Sequence, residues 1–411
     1  MAEKKQNKHF LLVLLAAIGP GIVAELAGND AGGISTFSVA GAEYGYNVLW
    51  TIPVAMVFLM LAQEGAMRLG AKTGKGFAAL IREHFGIRWT AFAILALVVA
   101  NFGTTMSEFA GIASGLELFG ISPYIGIPVC ALGIWALLMS GSYKRTQRIF
   151  LVVSLVFIVY VVAAFAASPD WGSVTLHTAL PQMVFDRPFL ALTIGIVGTT
   201  IAPWMLFFGQ SNTAEKGGVS KDKQGLALRR ADVFVGAVLA CLVVWFIIIT
   251  TGTVLHSSGV VVNSAEDAAM ALAPIAGQFA KILFGAGLLG ASVLAACVLP
   301  MTTAYAVCEA FGFEHSGEAS FKEAPVYKGI ITCLILFCAL VVLIPGVDLL
   351  GVMLTSQVIN GILLPILLIF LLLLANDKHL MGSLKNGLFA NICTTLMIVV
   401  IIVLTVLMFI F

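Results

Sequence analysis

The sequence predicts an all-α polytopic membrane protein of eleven spans, arranged as two inverted repeats of five helices with one extra helix at the C-terminus. Three observations predict this class: the composition, the recurrence of long apolar runs, and one interrupted span in each half. Of the 411 residues, 60% are hydrophobic and 10% are charged, and the mean hydropathy is +1.05. Because soluble domains carry about 25% charged residues, the bilayer is the solvent in which this chain folds.

Apolar runs recur along the whole chain with only short polar interruptions. A helix needs about 20 apolar residues to cross a hydrocarbon core of roughly 30 Å. The apolar runs are predicted to form one transmembrane domain, 1–411, with repeats at 10–168 and 189–375 and an extra span at 387–411. An amphipathic stretch, Glu266 to Phe279, is expected at the surface between spans 7 and 8. The predicted spans are residues 10–45, 47–67, 89–118, 122–140, 149–168, 189–214, 232–255, 282–311, 329–345, 349–375 and 387–411.

The basic residues predict the orientation of the chain in the membrane. Cytoplasmic loops of membrane proteins are enriched in Lys and Arg. With alternating spans, all of the 22 Lys and Arg residues fall on one side except Arg187 and Lys281. We therefore expect a multi-pass cell-membrane protein with a cytoplasmic N-terminus and an extracellular C-terminus. The formal net charge of +1 gives no reason to expect a nucleic-acid partner.

Two of the predicted spans are interrupted near their middle. In span 1, Asp30 is flanked by Gly28, Gly32 and Gly33, which disfavour a continuous helix. Span 6 carries Pro203, which lacks a backbone donor and clashes with the preceding turn. A kink in a packed helix would explain the proline alone equally well. Paired breaks in the two halves, one of them beside an acid, instead indicate a transporter with a central binding site.

Asp30 is the residue that most needs a partner. An ionised carboxylate in the middle of a bilayer costs several kcal/mol unless it is paired or hydrated, and no Lys or Arg lies deep in any predicted span. A mobile cation is the simplest partner. The alternative interpretation is a structural aspartate that is protonated or held by hydrogen bonds.

Further acids lie in or near the spans. Glu25 and Glu108 are predicted to be deep, and each is either an acid that lines a vestibule or a packed polar group. Acids near the predicted cytoplasmic ends, next to basic residues, are better explained by structural ion pairs; they are Glu64 and Asp232, beside Arg68 and Arg230.

Several spaced motifs resemble the Nramp family of divalent-metal transporters. They are GPGIVAELAGNDAGGISTFSVAGAEYGYNVLW in span 1, LAQEGAMRLGAKTGKGFAALIREHFG after it, GTTMSEFAGIASGLELFG in span 3, APWMLFFGQS in span 6 and SQVINGILLPIL in span 10. The resemblance extends from about Gly19 to Pro365. It implies a leucine-transporter-type fold, which agrees with the paired breaks.

The sequence departs from the family pattern at the positions that bind metal. The family's span 1 motif Asp-Pro-Gly-Asn reads Asp-Ala-Gly-Gly at residues 30–33, so Gly33 replaces the asparagine ligand. The span 6 motif Met-Pro-His reads Ala-Pro-Trp at residues 202–204, so Ala202 replaces the thioether ligand. In span 3, Thr105 stands where the family has an aspartate. These changes resemble the Nramp-related magnesium transporters, a divergent branch.

The resemblance, carried over position by position, implies a set of metal-site residues. Sulfur is a soft ligand that suits Mn or Fe better than Mg. Mg²⁺ dehydrates reluctantly and takes one or two carboxylates with several waters, which fits a roomy site without the thioether. The implied set is Asp30 as the charged ligand, the carbonyls of Ala27 and Thr199, the Gln357 amide, and Gly33 and Ala202 as positions without a ligand side chain.

The expected function is therefore transport of Mg²⁺, and also Mn²⁺, bound partly hydrated at the unwound centres of spans 1 and 6. All six histidines are predicted to lie outside the spans, so we expect transport without proton coupling. The main alternative is a proton-coupled Mn²⁺/Fe²⁺ importer of the Nramp type. Others are a sodium-coupled amino-acid carrier and a membrane sensor that does not transport. No enzyme activity, cofactor or obligatory protein partner is expected, and the lipid bilayer is the surrounding partner.

Overall fold

The computed structural model of the protein describes residues 28–140, 159–215, 223–315 and 319–411. All regular secondary structure in these ranges is helical. Glu25, Ala27 and most of predicted span 5 lie outside the described residues. The α-helices, numbered in chain order, are α1 (Ala31–Tyr44), α2 (Thr51–Thr73), α3 (Phe77–Leu118), α4 (Pro123–Met139), α5 (Val159–Ala166), α6 (Trp171–Ala179), α7 (Arg187–Thr200), α8 (Pro203–Glu215), α9 (Lys223–Val254), α10 (Ala265–Ala269), α11 (Ala273–Ala276), α12 (Ala280–Phe311), α13 (Pro325–Val342), α14 (Leu349–Asn376), α15 (Lys378–Met381) and α16 (Leu388–Ile410).

The helices of the described residues suit a membrane. Eight stretches among them are long and apolar enough to cross a bilayer by length and composition. The 17-residue α4 is apolar but shorter, and spans 1 and 5 are described only in part. The predicted total of eleven therefore stays a prediction. The eight stretches are Thr51–Thr73, Phe77–Leu118, Arg187–Ser211, Gly225–Ser258, Ala265–Phe311, Pro325–Val342, Leu349–Asn376 and Leu388–Ile410.

Helix α3 consists of two helical segments that meet at Gly86, whose φ of +79° and ψ of 175° are non-helical. The segment after Gly86 begins close to residue 89, where span 3 is predicted to start. The segment before it, which carries Arg82, is helical where the sequence predicts only a connection between spans 2 and 3. Side chains before the bend are held by neighbouring elements, since Arg82 Nη1 donates to the Ala310 carbonyl over 2.9 Å.

His84 lies in the same segment, before the bend and before residue 89, so it is outside the predicted span 3. Its Nε2 is 3.5 Å from Asp377 Oδ2, and its position near the start of α3 is far in sequence from Asp30.

The predicted interruption of span 6 is present, and the described part of span 1 is consistent with the other one. Residues 28–30 are not helical, and α1 begins at Ala31. In span 6, α7 ends at Thr200 and α8 begins at Pro203, which leaves two residues between the two half-helices. The fixed φ of proline suits the first turn of a helix, and its missing N–H suits a chain break just before it.

Glycines let the helices that carry these breaks approach their neighbours closely. Helix α3 packs along α12 and α14, and α1 packs against α9, α14 and α7. A Cβ added at Gly198 of α7 would collide with the backbone of Gln357 and Gly361 on α14. A Cβ at Gly111 of α3 would collide with the side chains of Ala31 and Ser292. The α7 break is thus held against α14 backbone to backbone, and the start of α1 packs against Gly111 of α3 through the small side chain of Ala31.

The stretch from Glu266 to Phe279 is not simply a surface segment. It forms α10, α11 and short 3₁₀ turns, with the Phe279 side chain 61% exposed. Its other face is buried, including Ala269 and Leu272, and α10 contacts α1, α3 and α12. The expected surface position is therefore correct for one face only.

Candidate metal site

Asp30 lies at the N-terminus of α1 with 2% of its surface exposed. Its backbone is extended, with φ −76° and ψ 179°, and its Oδ1 accepts a hydrogen bond from the Gly33 N–H over 2.7 Å. This is the geometry of a helix N-cap, and the positive end of the α1 dipole stabilises a negative charge there. One carboxylate oxygen is thereby fixed in orientation by the break itself.

A second carboxyl group reaches the same place from α3. The Ala31 N–H donates to Glu108 Oε2 over 3.2 Å, and Glu108 is fully buried. Glu108 Oε1 and the neighbouring Ser107 Oγ are buried with no hydrogen-bond partner among the described residues. Two buried carboxyl groups around one peptide unit are an arrangement that a bound cation would compensate.

Helix α7 contributes oxygen atoms at its C-terminal end. The carbonyl of Thr199 would bond to the N–H of residue 203 in a continuous helix, but Pro203 has no N–H to donate. The Thr199 side chain is 2% exposed and its Oγ1 has no hydrogen-bond partner in the described structure. A Cβ at Gly33 would lie 2.6 Å from this Oγ1 and 3.2 Å from Asp30 Oδ1, so the hydroxyl and the carboxylate flank the same glycine.

Helix α14 brings an amide to the other side of the break. Gln357 is fully buried, and a Cβ at Gly32 would collide with its Nε2. Its Oε1 accepts from Asn360 Nδ2 over 2.9 Å. The amide therefore presents its NH₂ group to α1, and it has to turn over and give up the Asn360 bond before its oxygen can face an ion.

Most of the residues implied as a metal site come together in this way. Asp30, Gly33, Thr199 and Gln357 surround the start of α1. Ala202 is 1% exposed and lies in the break between α7 and α8, where it offers no side-chain donor. The predicted carbonyl of Ala27 lies outside the described residues.

Other polar residues at the site were missed from the sequence. Asn29 is buried beside Asp30 with Nδ2 unpartnered among the described residues. Asn360 Nδ2 also donates to Thr104 Oγ1 over 2.9 Å, which links α14 to α3. The sequence did contain a signal for some of them: polar residues recur three or four positions apart on two apolar helices, which places them on one face of each helix. The repeats are Asn101, Thr104, Thr105 and Glu108 on α3, and Gln357 and Asn360 on α14.

The donor set is sparse in titrating groups. Across the part of the chain that the structure describes, no three His, Cys, Asp or Glu residues are grouped so that they could hold a metal. Trp204 takes the position of the family's histidine, and its indole N–H can donate a hydrogen bond but cannot ligate a metal. Any ion held here is bound by carboxylate, carbonyl, hydroxyl and amide groups.

Open space approaches the site along α14. A groove of about 450 Å³ lies between α3 and α14, and its lining includes Gly103, Met106, Thr355 and Ser356. Gln357 Nε2 donates to Ser356 Oγ over 3.3 Å. The groove thus reaches Ser356, the residue before Gln357, whose side-chain amide contacts α1.

The expected ion pair at Glu64 is present away from the site. Glu64 Oε2 is 3.1 Å from Arg68 Nη2, and its Oε1 is 2.8 Å from Arg230 Nε. Arg68 Nη1 also donates to the Leu384 carbonyl over 2.6 Å. These bonds connect α2, α9 and the segment before α16, so their role is structural.

Comparison with known proteins identifies the family. The family model described as natural resistance-associated macrophage protein-like, Nramp, matches residues 21–411. The chain belongs to the Nramp family. Among curated Nramp relatives, the divalent metal cation transporter MntH of Burkholderia ambifaria is 28% identical over 384 residues, covering 90% of this chain and 83% of the relative. MntH of Yersinia pestis is 26% identical over 397 residues, covering 95% and 93%.

Solved structures show the fold of this Nramp chain. The manganese transporter of Eremococcus coleocola superposes with a TM-score of 0.75 at 22% identity, covering 96% of this chain and 86% of that one. Mhp1, a nucleobase-cation-symport-1 transporter, gives 0.59 at 15% identity over 95% and 92%. MhsT, crystallised with L-phenylalanine, gives 0.55 at 14% over 95% and 97%. The leucine-transporter-type fold is confirmed. The family match and the curated relatives show that the chain is a transporter and not an enzyme.

Proposed function

We propose that this Nramp-family chain transports divalent cations, with Mg²⁺ as the main substrate and Mn²⁺ as a second one. The ion binds partly hydrated between the break before α1 and the break between α7 and α8. One observation carries the proposal. Asp30, buried at the start of α1, is surrounded by oxygen and amide groups, with no sulfur or imidazole at positions 202 and 204.

The chemistry of these donors supports a hard ion. Mg²⁺ keeps several waters and takes only one or two carboxylates. Asp30 supplies the charge, and the Thr199 carbonyl and hydroxyl supply neutral oxygen atoms. Gln357 would add an oxygen after its amide turns over. The site lacks the thioether ligand that would favour soft ions, because position 202 is an alanine.

The relatives support the class of substrate, and the site supports the choice within it. The relatives carry names that state divalent metal or manganese transport. The donor set here differs from a soft-ion site, which favours Mg²⁺ over Mn²⁺. We further propose that transport is not coupled to protons, because Thr105 and Trp204 occupy positions where the family has titrating side chains.

The proposed topology follows from the distribution of basic residues. The N-terminus is cytoplasmic and the C-terminus extracellular, with repeats at 10–168 and 189–375 and the extra span at 387–411. The groove between α3 and α14 supports an approach of the ion to Gln357 from the end of α14 that carries Asp348.

Calorimetric titration of the purified protein with Mg²⁺ tests the proposal. We expect saturable binding to the wild type and none to Asp30→Asn, which keeps the shape and removes the charge. Asp170→Asn is the matched control, because Asp170 is an exposed N-cap that accepts from the Gly172 N–H over 3.0 Å. Equal Mg²⁺ binding to the Asp30→Asn variant would refute the proposal. Mn²⁺ binding without Mg²⁺ binding would favour the ordinary manganese importer.

A further inference from the structure

A small cavity adjoins the metal site on the side away from α3 and α14. It has a volume of about 10 Å³, enough for one water-sized particle. Its walls come from the break before α1, from α2, from the α7–α8 break and from α9. The lining residues are Gly28, Asn29, Leu59, Thr199, Thr200, Met205, Ala240, Cys241 and Val244.

Two buried polar side chains line this cavity without a hydrogen-bond partner in the described structure. Asn29 is 7% exposed with Nδ2 unpartnered, and Thr199 is 2% exposed with Oγ1 unpartnered. Burying such groups without a hydrogen-bond partner is unfavourable. The cavity is thus a place where a polar particle is stabilised.

Two sulfur-bearing residues line the same cavity. Met205 lies on α8, about one turn after the break, and Cys241 lies on α9. Among the described residues that line it there is no acid, so none of them offers a carboxylate to a hard cation. Thiolate and thioether groups instead select soft cations. Ala202 gives the proposed transport site no sulfur, whereas this neighbouring cavity has two sulfur-bearing residues in its walls.

We propose that this cavity is a second metal site, selective for soft divalent cations such as Cd²⁺, and that its occupation blocks transport. Cys241 and Met205 supply the sulfur ligands, Thr199 supplies its hydroxyl oxygen, and Asn29 supplies its amide oxygen after its side-chain amide turns over. On binding, the Cys241 thiol gives its proton to water and its sulfur forms the bond to the metal. Thr199 lies in the proposed transport site, and Asn29 lies next to its ligand Asp30. An ion in the cavity therefore holds the break before α1 and the break between α7 and α8 in one conformation.

Spectroscopy on the purified full-length chain tests binding directly. Cd²⁺ alone is added, and the ultraviolet charge-transfer absorption of cadmium–thiolate bonds is recorded. We expect this absorption to be lower in Cys241→Ser than in the wild type. Cys297→Ser is the matched control, because Cys297 is fully buried in α12 and does not line the cavity. Equal Cd²⁺ absorption in Cys241→Ser and the wild type would overturn the proposal, whatever the protein transports.

Inhibition of uptake tests the consequence in proteoliposomes. We expect Cd²⁺ to inhibit Mg²⁺ uptake at least tenfold less strongly in Cys241→Ser than in the wild type, with uptake in the absence of Cd²⁺ unchanged. Met205→Leu keeps the volume without the sulfur and should weaken inhibition in the same direction. If Cd²⁺ inhibits Cys241→Ser and Met205→Leu as strongly as the wild type, and excess Mg²⁺ relieves this inhibition, then Cd²⁺ binds only at Asp30. That result would overturn the proposal. Absence of any Mg²⁺ uptake in the wild type would instead reject the proposed function.

Discussion

The backbone N–H of Ala31 donates to Glu108 Oε2 over 3.2 Å. This bond ties the first residue of α1, which follows the proposed ligand Asp30, to the middle of α3. It also leaves Glu108 Oε1 buried without a hydrogen-bond partner among the described residues. Glu108 can therefore act in two ways: Oε2 holds the start of α1, and the carboxyl charge can stabilise a bound cation. A substitution that keeps the hydrogen bond and removes the charge separates the two.

Glu108→Gln should keep the bond from Ala31 and remove the charge. We expect the thermal unfolding midpoint to stay near that of the wild type. The affinity for Mg²⁺ should fall roughly tenfold, or about 1.4 kcal/mol, because one of the two buried carboxyl groups beside the ion can no longer become negative. Glu117→Gln, an exposed change on the same helix, is the control. Calorimetry that finds equal affinity in both variants would limit Glu108 to its structural role.

Gly32→Ala should abolish Mg²⁺ uptake in proteoliposomes. The added methyl group would collide with Gln357 Nε2 and lie 2.7 Å from Ser107 Oγ, so α1 or α14 must shift and the ligands must separate. Gly133→Ala is the control, because nothing lies within 4 Å of a Cβ at that position of α4. Normal uptake by Gly32→Ala would show that the contact between Gln357 and α1 is unnecessary.

Ala202→Met should shift the preference of the site toward soft ions. A thioether in the α7–α8 break would stabilise Mn²⁺ or Cd²⁺ and offer nothing to Mg²⁺. Competition of Mn²⁺ and Cd²⁺ against Mg²⁺ uptake measures the change. Ala202→Leu, similar in volume to methionine, controls for the filling of the break. Identical competition profiles for the methionine and leucine variants would disprove a sulfur effect.

Glu64→Gln should lower the thermal unfolding midpoint more than Arg230→Gln does. Glu64 bridges both arginines, and its removal leaves Arg68, whose side chain is 6% exposed, without its counterion. The loss is roughly 1–3 kcal/mol, the cost of an unsatisfied buried polar group. The Arg230 side chain is 41% exposed, so its pair contributes less than about 1 kcal/mol. Equal midpoints for the two variants would contradict the bridging role.

Metal uptake should not acidify the interior of proteoliposomes. Thr105 and Trp204 do not titrate between pH 5 and 8. His84 lies near the start of α3, before the bend, with its Nε2 3.5 Å from Asp377 Oδ2. A pH-sensitive dye inside the vesicles measures proton flux while Mg²⁺ is added. Acidification that depends on Mg²⁺ and disappears in Asp30→Asn would establish coupling and reject this prediction.

The break between α7 and α8 could be predicted from the sequence because its cause lies in neighbouring residues. Pro203 cannot donate to the carbonyl of Thr199, wherever the rest of the chain lies. The helical segment of α3 before Gly86 was not predicted, because Gly86 and the charged residues around it are typical of a loop. In the structure, Arg82 is held by the Ala310 carbonyl, a contact far away in sequence.

The orientation of donors at the site depends on such distant contacts. Gln357 was predicted at the site, but the direction of its amide is set by Asn360, which in turn bonds to Thr104 on α3. Asn29 was missed because its cavity forms only where α2, α8 and α9 converge with the two breaks. Sequence spacing gives the face of a helix and not the partner that the face meets.

The close approach of α7 and α14 at Gly198 and Gly361 sets the width of the proposed binding site from outside it. Thr199 follows Gly198 directly, and Gln357 lies one turn before Gly361, so the absence of two methyl groups sets the distance between the Thr199 hydroxyl and the Gln357 amide. The size of ion that the proposed site accepts should therefore change with these glycines, without a change of any proposed ligand. Alanine at either glycine would push the two donors apart and leave a smaller ion without simultaneous contacts.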